Sequence, residues 1–401
     1  MLLVVLAVVT AIFSAAPAAQ AARYVSPQFF GQHLMYNSSL TPQVPVHAMR
    51  LWDSNTRWCE IDKGTATDRY DFGQLDALLG QASRLGADVQ FTFGGTPAWA
   101  VTGAHPQAAA GDQCAGTQTS NPWDPPADDA AWAEFVTALV THAKGRIRAY
   151  ELWNEAEYQY CWSGSVEQLV RMSVQAAEII HRIDPSAIVL SPSTSNNPTA
   201  RTWLHQYLSS LPAGTIDAVA IHTYTDGAWP ETAVLAQMNA VREALPADYS
   251  DIPIWSTEGG WGQTSQFSAS ASDRRAFVAR YNLQMLTQGV ERSYWYAYQN
   301  SQWGTLWDGT ALTAAGIATR TLDGWLAGAT LAGCSTANGN LWTCDLTTSA
   351  GTRARIIWAK KTPVYNYSTK GFRSLKTLDG RSLSAGSTRI TVTREPVLLS
   401  A

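Results

Sequence analysis

Apolar residues along this chain fall into two alternating textures. Residues 28–34 (QFFGQHL), 47–54 (HAMRLWDS), 88–95 (DVQFTFGG) and 187–194 (AIVLSPST) are short runs dense in apolar and β-favouring residues. That is the pattern of strands buried on both faces. Between such runs, apolar residues recur three and four apart. Residues 72–85 carry Leu75, Leu78, Leu79 and Leu85 at that spacing, and 128–143 and 166–183 repeat it, which predicts amphipathic helices. The remaining strands are expected from Ile147 into Trp153-Asn154-Glu155, and over 216–224, 253–258 and 293–300. Helices are expected over 202–211, 232–245 and 272–288. Eight strands alternating with helices predict an α/β fold, a closed parallel (β/α)8 TIM barrel. An open doubly wound sheet would carry a Gly-rich phosphate loop after an early strand, and the sequence has none.

From about residue 328 the helical period stops. Short alternating runs at 341–346, 353–359, 363–367 and 389–393, punctuated by Gly, Ser and Thr, predict a small C-terminal antiparallel β-sandwich domain. At the other end, an apolar run over 2–13 leads to Ala19-Gln20-Ala21, the pattern of a secretory signal peptide cut near Ala21. It is too short to span a bilayer stably. The expected division is a signal peptide over 1–21, a barrel over 22–327 and a β-sandwich over 328–401.

The formal charge of −4 argues against nucleic acid or an anionic membrane as partner. Five cysteines fit an exported protein with one or two disulfides. Cys334 and Cys344 lie ten residues apart in a stretch with strand and turn signals, so a hairpin-like disulfide is expected there. Cys59, Cys114 and Cys161 follow the second, third and fourth strands, on one face of a barrel. Cys114 with Cys161 is the expected pair, with Cys59 left free, although spacing does not fix the connectivity. The long loop over 96–126 belongs to the same face, where loops of that length are usually functional or disordered. The 17 Trp and 15 Tyr are partly core, but aromatic planes at strand ends also suit the C–H faces of sugar rings. Two acceptor tripeptides, Asn37-Ser38-Ser39 and Asn366-Tyr367-Ser368, matter only in a glycosylating host.

Candidate chemistry concentrates at two strand ends. Glu155 ends the fourth strand and Glu258 the seventh, and barrels present reacting groups at the C-terminal ends of their strands. Strands four and seven face each other across the mouth. Cleavage of a glycosidic bond with retention needs two carboxyls about 5 Å apart, in environments that keep one ionised and the other protonated. Asn154 would point beside them, towards a sugar 2-hydroxyl. Either Glu alone reads as a strand-end salt-bridge partner; both together point to chemistry. No His-Glu-x-x-His or comparable ligand spacing occurs, so no metal and no cofactor is expected, the two carboxylates themselves supplying acid, base and nucleophile.

An ordered set of motifs resembles the clan A retaining glycoside hydrolases, most closely glycoside hydrolase family 39 and its relatives. Arg-Leu-Trp-Asp (50–53) follows the second strand and Thr-Pro-Ala-Trp (96–99) the third. Trp-Asn-Glu (153–155) and Trp-Ser-Gly (162–164) lie at the fourth, His-Thr-Tyr (222–224) on the sixth and Ser-Thr-Glu-Gly-Gly (256–260) on the seventh. The resemblance implies Glu155 as acid/base and Glu258 as nucleophile. It also implies that His222 or Tyr224 hydrogen-bonds the nucleophile and that Arg50 supports it. Asp53, Trp99, Trp162, Tyr296, Tyr298 and Trp307 are candidate substrate contacts. Ala156 and Glu157 stand where family members commonly carry Pro and a polar residue, and Glu157 is expected to point to solvent. The expected function is a secreted or periplasmic, monomeric, endo-acting hydrolase of β-linked poly- or oligosaccharide. The alternatives are an exo-glycosidase of xylosidase, arabinosidase or uronidase type, and a non-catalytic carbohydrate-binding barrel.

Overall fold

The computed structural model describes residues 22–64, 68–103, 114, 121–267, 269–385 and 389–401. The expected signal peptide and much of the expected 96–126 loop lie outside the described residues. After a two-residue strand, β1 (Arg23–Tyr24), the eight apolar runs become β2 (Phe30–Gln32), β3 (Ala48–Leu51), β4 (Asp88–Thr92), β5 (Ala149–Glu151), β6 (Ile188–Leu190), β7 (Val219–Tyr224), β8 (Ile254–Gly260) and β9 (Arg292–Trp295). They form one parallel sheet in the order β6-β5-β4-β3-β2-β9-β8-β7. Parallel bridges Leu190–Ala218 and Thr194–Ile221 join its two ends, so the sheet closes into the expected barrel.

Inside, Ala48, Ala149, Ala218 and Ala220 leave room for Trp255 and Tyr294, and these side chains pack as one buried cluster. Gly31 on β2 is fixed by the same packing, since a Cβ there would sit 2.3 Å from the Tyr294 ring. The strand that carries Glu258 is irregular. Ile221 pairs with Ser256 and the next residue, His222, with Glu258; on the other side Ser293 pairs with Ser256 but Trp295 with Gly259. Thus β8 holds one extra residue against both neighbours, a bulge of the kind that re-aims a side chain beside a functional site.

The helices are α1 (Trp58–Ile61), α2 (Gly73–Leu85), α3 (Ala98–Thr102), α4 (Asp129–Ala143), α5 (Val166–Ile183), α6 (Pro198–Ser210), α7 (Pro230–Ala244), α8 (Ala271–Thr287) and α9 (Ala314–Leu326); α1 and α3 are short turns in the loops after β3 and β4, and the longer helices form the outer ring. Helices α6 and α7 begin at Pro198 and Pro230, earlier than the expected 202 and 232. Proline suits a first helical turn, whose N–H groups need no partner in the helix. Helix α9 was not expected from the apolar pattern. It starts where Thr313 accepts a hydrogen bond from Gly316 N, and it completes the eighth βα unit.

Antiparallel strands follow: β10 (Thr330–Ala337), β11 (Leu341–Thr347), β12 (Arg353–Ala359), β13 (Val364–Ser368), β14 (Ser374–Thr377), β15 (Ser382–Ser384), β16 (Arg389–Val392) and β17 (Val397–Ser400). A seven-stranded sheet runs β1-β10-β11-β12-β17-β14-β15 over a β13-β16 pair, the expected C-terminal sandwich with one strand drawn from the N-terminal end. This layer covers α8, and Ala276 through Leu286 are all buried, Arg280, Asn282 and Gln284 included. Arg280 is held there by Glu231, to which Trp358 Nε1 also donates.

Cys334 pairs with Cys344 across β10 and β11, as expected. The other disulfide corrects the expectation: Cys59 pairs with Cys114, and Cys161 is a buried free thiol. Cys59 N donates to Gly95 O, so α1 packs against the start of the loop that carries Cys114. Cys161 turns inward instead, its carbonyl accepting from Trp153 Nε1. Peptide mapping of non-reduced protein is therefore expected to recover a 59–114 cross-link and a 334–344 cross-link, with Cys161 alkylated only after unfolding. A 114–161 cross-link would refute this pairing.

Candidate active site

Arg50, at the end of β3, is the centre of the barrel mouth. Its side chain is wholly buried, and guanidinium keeps its charge in proteins, so its donors need acceptors. Nε and Nη2 donate to Glu151 at 3.1 and 2.6 Å, Nη1 donates to Glu258 Oε1 at 2.6 Å, and Nη2 also donates to Asn154 Oδ1 at 2.8 Å. Gln90 on β4 donates to Glu151 as well. One side chain from β3 thereby ties β5, β8 and the segment after β5 together. Because Asn154 offers its carbonyl to Arg50, its amide N–H₂ is left facing away from the guanidinium.

Glu258 accepts a second strong bond, 2.7 Å, from the Tyr224 hydroxyl at the end of β7. Burial pushes the Glu258 carboxyl up, yet the charges of His222 and Arg50 and the Tyr224 hydroxyl outweigh it, and its pKa lies well below the ordinary carboxylate value. Burial together with Glu258 pushes Tyr224 far above the usual phenol value, so it stays a donor. His33 fills the carbonyl left by the β8 bulge: its Nε2 lies 3.0 Å from Thr257 O. Burial first and Arg50 second push this imidazole down to about 3, so it is neutral and donates.

Glu155 begins a tight turn with φ 45°, left-handed backbone that a non-glycine residue adopts only at some cost. The turn is closed by Tyr158 N donating to Glu155 O and by Trp162 N donating to Tyr158 O. His222 Nδ1 lies 2.9 Å from Glu155 Oε1 and 3.5 Å from Glu258 Oε2. Burial pushes the imidazole down, but Glu258 and then Glu155 pull harder, and its pKa ends above the ordinary value. The pair is unequal in solvent contact: the Glu155 side chain is 23% exposed, that of Glu258 9%.

The expected site residues divide accordingly. Arg50, Asn154, Glu155, His222, Tyr224 and Glu258 come together. His222 hydrogen-bonds Glu155, so Tyr224 is the closer partner of Glu258. Tyr296 donates to Asp53 Oδ2 at 2.5 Å and packs edge-on to His33 and Tyr224. Burial raises the Asp53 carboxyl, the Tyr296 hydroxyl only partly opposing it. Both line a 300 Å³ cavity with Trp52, Asn55 and Arg57. Tyr298 and Trp162 are buried and offer no free ring face: Tyr298 Oη accepts from Gln43 N, and Trp162 packs on Trp153. Trp99 is likewise buried, beneath the Arg69 guanidinium. Trp307 stacks on Tyr298 and lines a separate cavity with Arg274, Asn300 and Asp308.

Three residues had not been singled out. Glu151 reads in sequence as an interior strand residue, Gln90 likewise, and Trp303 lies in a loop with no motif; it packs on Tyr224 with ring centroids 4.8 Å apart. Glu157 corrects an expectation, because it turns inward rather than to solvent and accepts from Ser195 N at 2.7 Å. Its burial raises the carboxyl above the ordinary value, the Ser195 contact only partly opposing it. Among the described residues no group of three or more His, Cys, Asp or Glu could hold a metal ion, and no helix is long and apolar enough to cross a membrane.

Residues 119–319 match the family described as the glycosyl hydrolase catalytic core. No curated protein matches the sequence. Among solved structures, the chain is similar to a family 39 glycoside hydrolase from the gut symbiont Bacteroides cellulosilyticus WH2, with a TM-score of 0.70 and 14% identity over 94% of this chain and 81% of that one. It is similar to a family 39 β-xylosidase from Caulobacter crescentus, with a TM-score of 0.63 and 15% identity over 95% and 98%. A bifunctional glucanase-xylanase from a metagenome library gives 0.64 and 12% over 94% and 96%. At these identities the likeness is one of fold.

The charge arrangement makes a stability prediction. Glu258 has a folded pKa below its unfolded value, so its contribution to stability is present above the unfolded value of about 4.3 and is lost as pH falls through the folded value. Arg50→Leu leaves Glu151 and Glu258 buried without their cation, at a cost of about 3–5 kcal/mol at pH 7. That penalty is expected to shrink as pH falls towards 4, because protonation relieves the stranded Glu258. Urea unfolding of both proteins at several pH values measures the gap; a gap independent of pH would show that Arg50 does not hold Glu258 ionised.

Proposed function

This chain belongs to the glycosyl hydrolase catalytic core family, and on that premise we propose that it hydrolyses a β-linked poly- or oligosaccharide with retention of configuration. The observation that carries this reading is the shared contact of His222 with both carboxylates. One nitrogen 2.9 Å from Glu155 and 3.5 Å from Glu258 caps the separation of those two oxygens at roughly 6.4 Å, the sum of the two contacts. Two carboxyls bridged by one ring nitrogen fit the ~5–5.5 Å spacing of retaining enzymes better than the ~6.5–9.5 Å that inverting enzymes leave for a water.

The unequal surroundings divide the roles. Glu258, depressed by His222, Arg50 and Tyr224, is the ionised nucleophile that attacks the anomeric carbon. Glu155, the more exposed and the partner of His222, is the acid that protonates the departing oxygen. It then takes a proton from the water that cleaves the glycosyl–Glu258 ester. Asn154, its carbonyl held by Arg50, turns its N–H₂ to the sugar 2-hydroxyl. Asp53 and Tyr296 line the side of the mouth away from Glu155 and contact the sugar that forms the ester. Cavities on both sides of the pair give room for a sugar on each side of the bond cleaved, as endo action requires. The two disulfides suit an oxidising compartment, which fits export.

Activity on polysaccharides and aryl glycosides tests the roles. Glu258→Ala is expected to abolish turnover of every substrate, a loss of at least about 10⁴-fold. Glu155→Ala is expected to spare substrates with good leaving groups in the first step and to be rescued by azide, giving a glycosyl azide of retained configuration. Equal losses on good and poor leaving groups without rescue would reverse or remove the assignment. A ladder of oligosaccharides from a polymer supports endo action; single sugars alone would make the enzyme exo-acting.

A further inference from the structure

We propose that Tyr158 and Tyr160 form a stacking platform for a sugar leaving group, so that the bond cleaved joins two sugar residues. This rests on the assignment of Glu155 as the acid and names what stands on its far side. The two rings lie parallel, with centroids 4.9 Å apart and planes 13° from parallel. Tyr158 is pinned: its hydroxyl donates to Ser195 Oγ at 3.0 Å and accepts from Asn197 Nδ2 at 3.1 Å. Asn197 is itself fixed, since its carbonyl caps α6 by accepting from Ala200 N. Glu157 holds the facing loop through Ser195 N. Tyr160 lies over this fixed ring and is 62% exposed, a large aromatic face presented to solvent beside the reacting pair.

The cavity that these rings wall is 420 Å³, within the roughly 300–1,000 Å³ of small-ligand clefts. It is lined by Glu155, His222 and Tyr224 but not by Glu258 or Asp53 themselves, so of the two carboxyls it is the acid that it exposes. Since the acid protonates the departing oxygen, the group that occupies this cavity is the one that leaves. Beyond the two rings the wall mixes polar Asn196, Asp226 and Gln263 with the aromatic Tyr224 and Trp303. Asn196 Oδ1 accepts from Arg201 while its Nδ2 has no partner. An aromatic face with amide and carboxylate groups around it matches a hydroxylated ring, whose C–H face stacks and whose hydroxyls need donors and acceptors. It matches a purely apolar aglycone poorly.

The same platform receives an acceptor in the reverse sense. From the glycosyl–Glu258 ester, an acceptor hydroxyl attacks the anomeric carbon and gives its proton to Glu155. The bond from that carbon to Glu258 breaks, and the carboxylate leaves with the electron pair. Partition of the ester between sugar acceptor, methanol and water therefore reports the platform independently of how fast the ester forms.

The test uses the full chain with any aryl glycoside that it turns over, in the presence of methanol or of glucose, xylose or cellobiose, for wild type, Tyr160→Ala and Tyr160→Phe. In Tyr160→Ala, transfer to sugar relative to water is expected to fall about fivefold or more. Tyr160→Phe is expected to restore it, and transfer to methanol, too small to use the platform, to be the same in all three. Equal sugar transfer in wild type and Tyr160→Ala, or no sugar transfer in wild type, would overturn the platform. If no aryl glycoside is turned over, the hydrolase reading fails on its own. Saturation-transfer NMR with cello- and xylo-oligosaccharides then decides the platform: binding lost in Tyr160→Ala supports it, and equal or absent binding overturns it.

Discussion

A guanidinium that cannot lose its charge, buried at the end of a barrel strand, constrains everything around it. Desolvating Arg50 is costly unless its donors are matched and its charge is balanced. Glu151 takes one edge of the fork, Glu258 one nitrogen and Asn154 another bond. Arg50 does not cancel the pull of Glu258 and then Glu155 on the imidazole between them, which is the physical reason that His222 is drawn above its ordinary pKa despite its burial. The same balance separates the two candidate carboxyls. Glu258 sits inside the ring of charge and donors, whereas Glu155 touches only its edge through His222. Under the roles proposed above, difference of environment rather than of residue type separates acid from nucleophile.

That arrangement depends on backbone irregularity as much as on side-chain chemistry. The extra residue in β8 brings Glu258 level with His222 and frees the Thr257 carbonyl. A neutral histidine, His33, answers that carbonyl without adding another charge beside Arg50. Gly259 lies where a Cβ would meet the Tyr281 hydroxyl at 1.9 Å and Thr223 Oγ1 at 2.7 Å, so β7, β8 and α8 close tightly just behind the carboxylate. The C-terminal sheet buries the outer face of α8 and thereby backs the strand on which Glu258 is carried.

Much of this was legible in sequence because barrel strands and ring helices are local patterns. Eight apolar runs, the strand-end position of Glu155 and Glu258, and the nearness of Arg50 to a strand end need no knowledge of distant partners. What was not legible depends on partner choice in space. Glu151 looks like one more residue of a buried strand until Arg50 is seen to face it. His222 lies two residues from Tyr224, so both project towards the mouth, and only the bulge in β8 decides that Tyr224 takes Glu258 while His222 meets Glu155. Cysteines 59, 114 and 161 share a face, yet α1 packs beneath the Gly95 turn and so selects the 59–114 pair. Tyr298 and Trp307 stack on each other, a contact that composition alone reads as two free sugar platforms.

The departure from the family motif after Glu155 changes how the loop is built while Glu155 keeps its place at the strand end. Proline at that point would stiffen the turn through its own ring. Here the turn is closed by backbone hydrogen bonds from Tyr158 and Trp162, and Glu157 is free to reach Ser195 on the next loop. The brace sets Ser195 and Asn197 where they grip the Tyr158 hydroxyl. Glu157 and Tyr158 thus both bond the 195–197 segment, which joins the turn after Glu155 to the next loop. Barrel strands fix the carboxylates through Arg50; the loops beyond them, tied to one another rather than to the core, fix what is brought to those carboxylates. The two layers meet only at Glu155, whose strained backbone belongs to the loop and whose carboxylate belongs to the charge network.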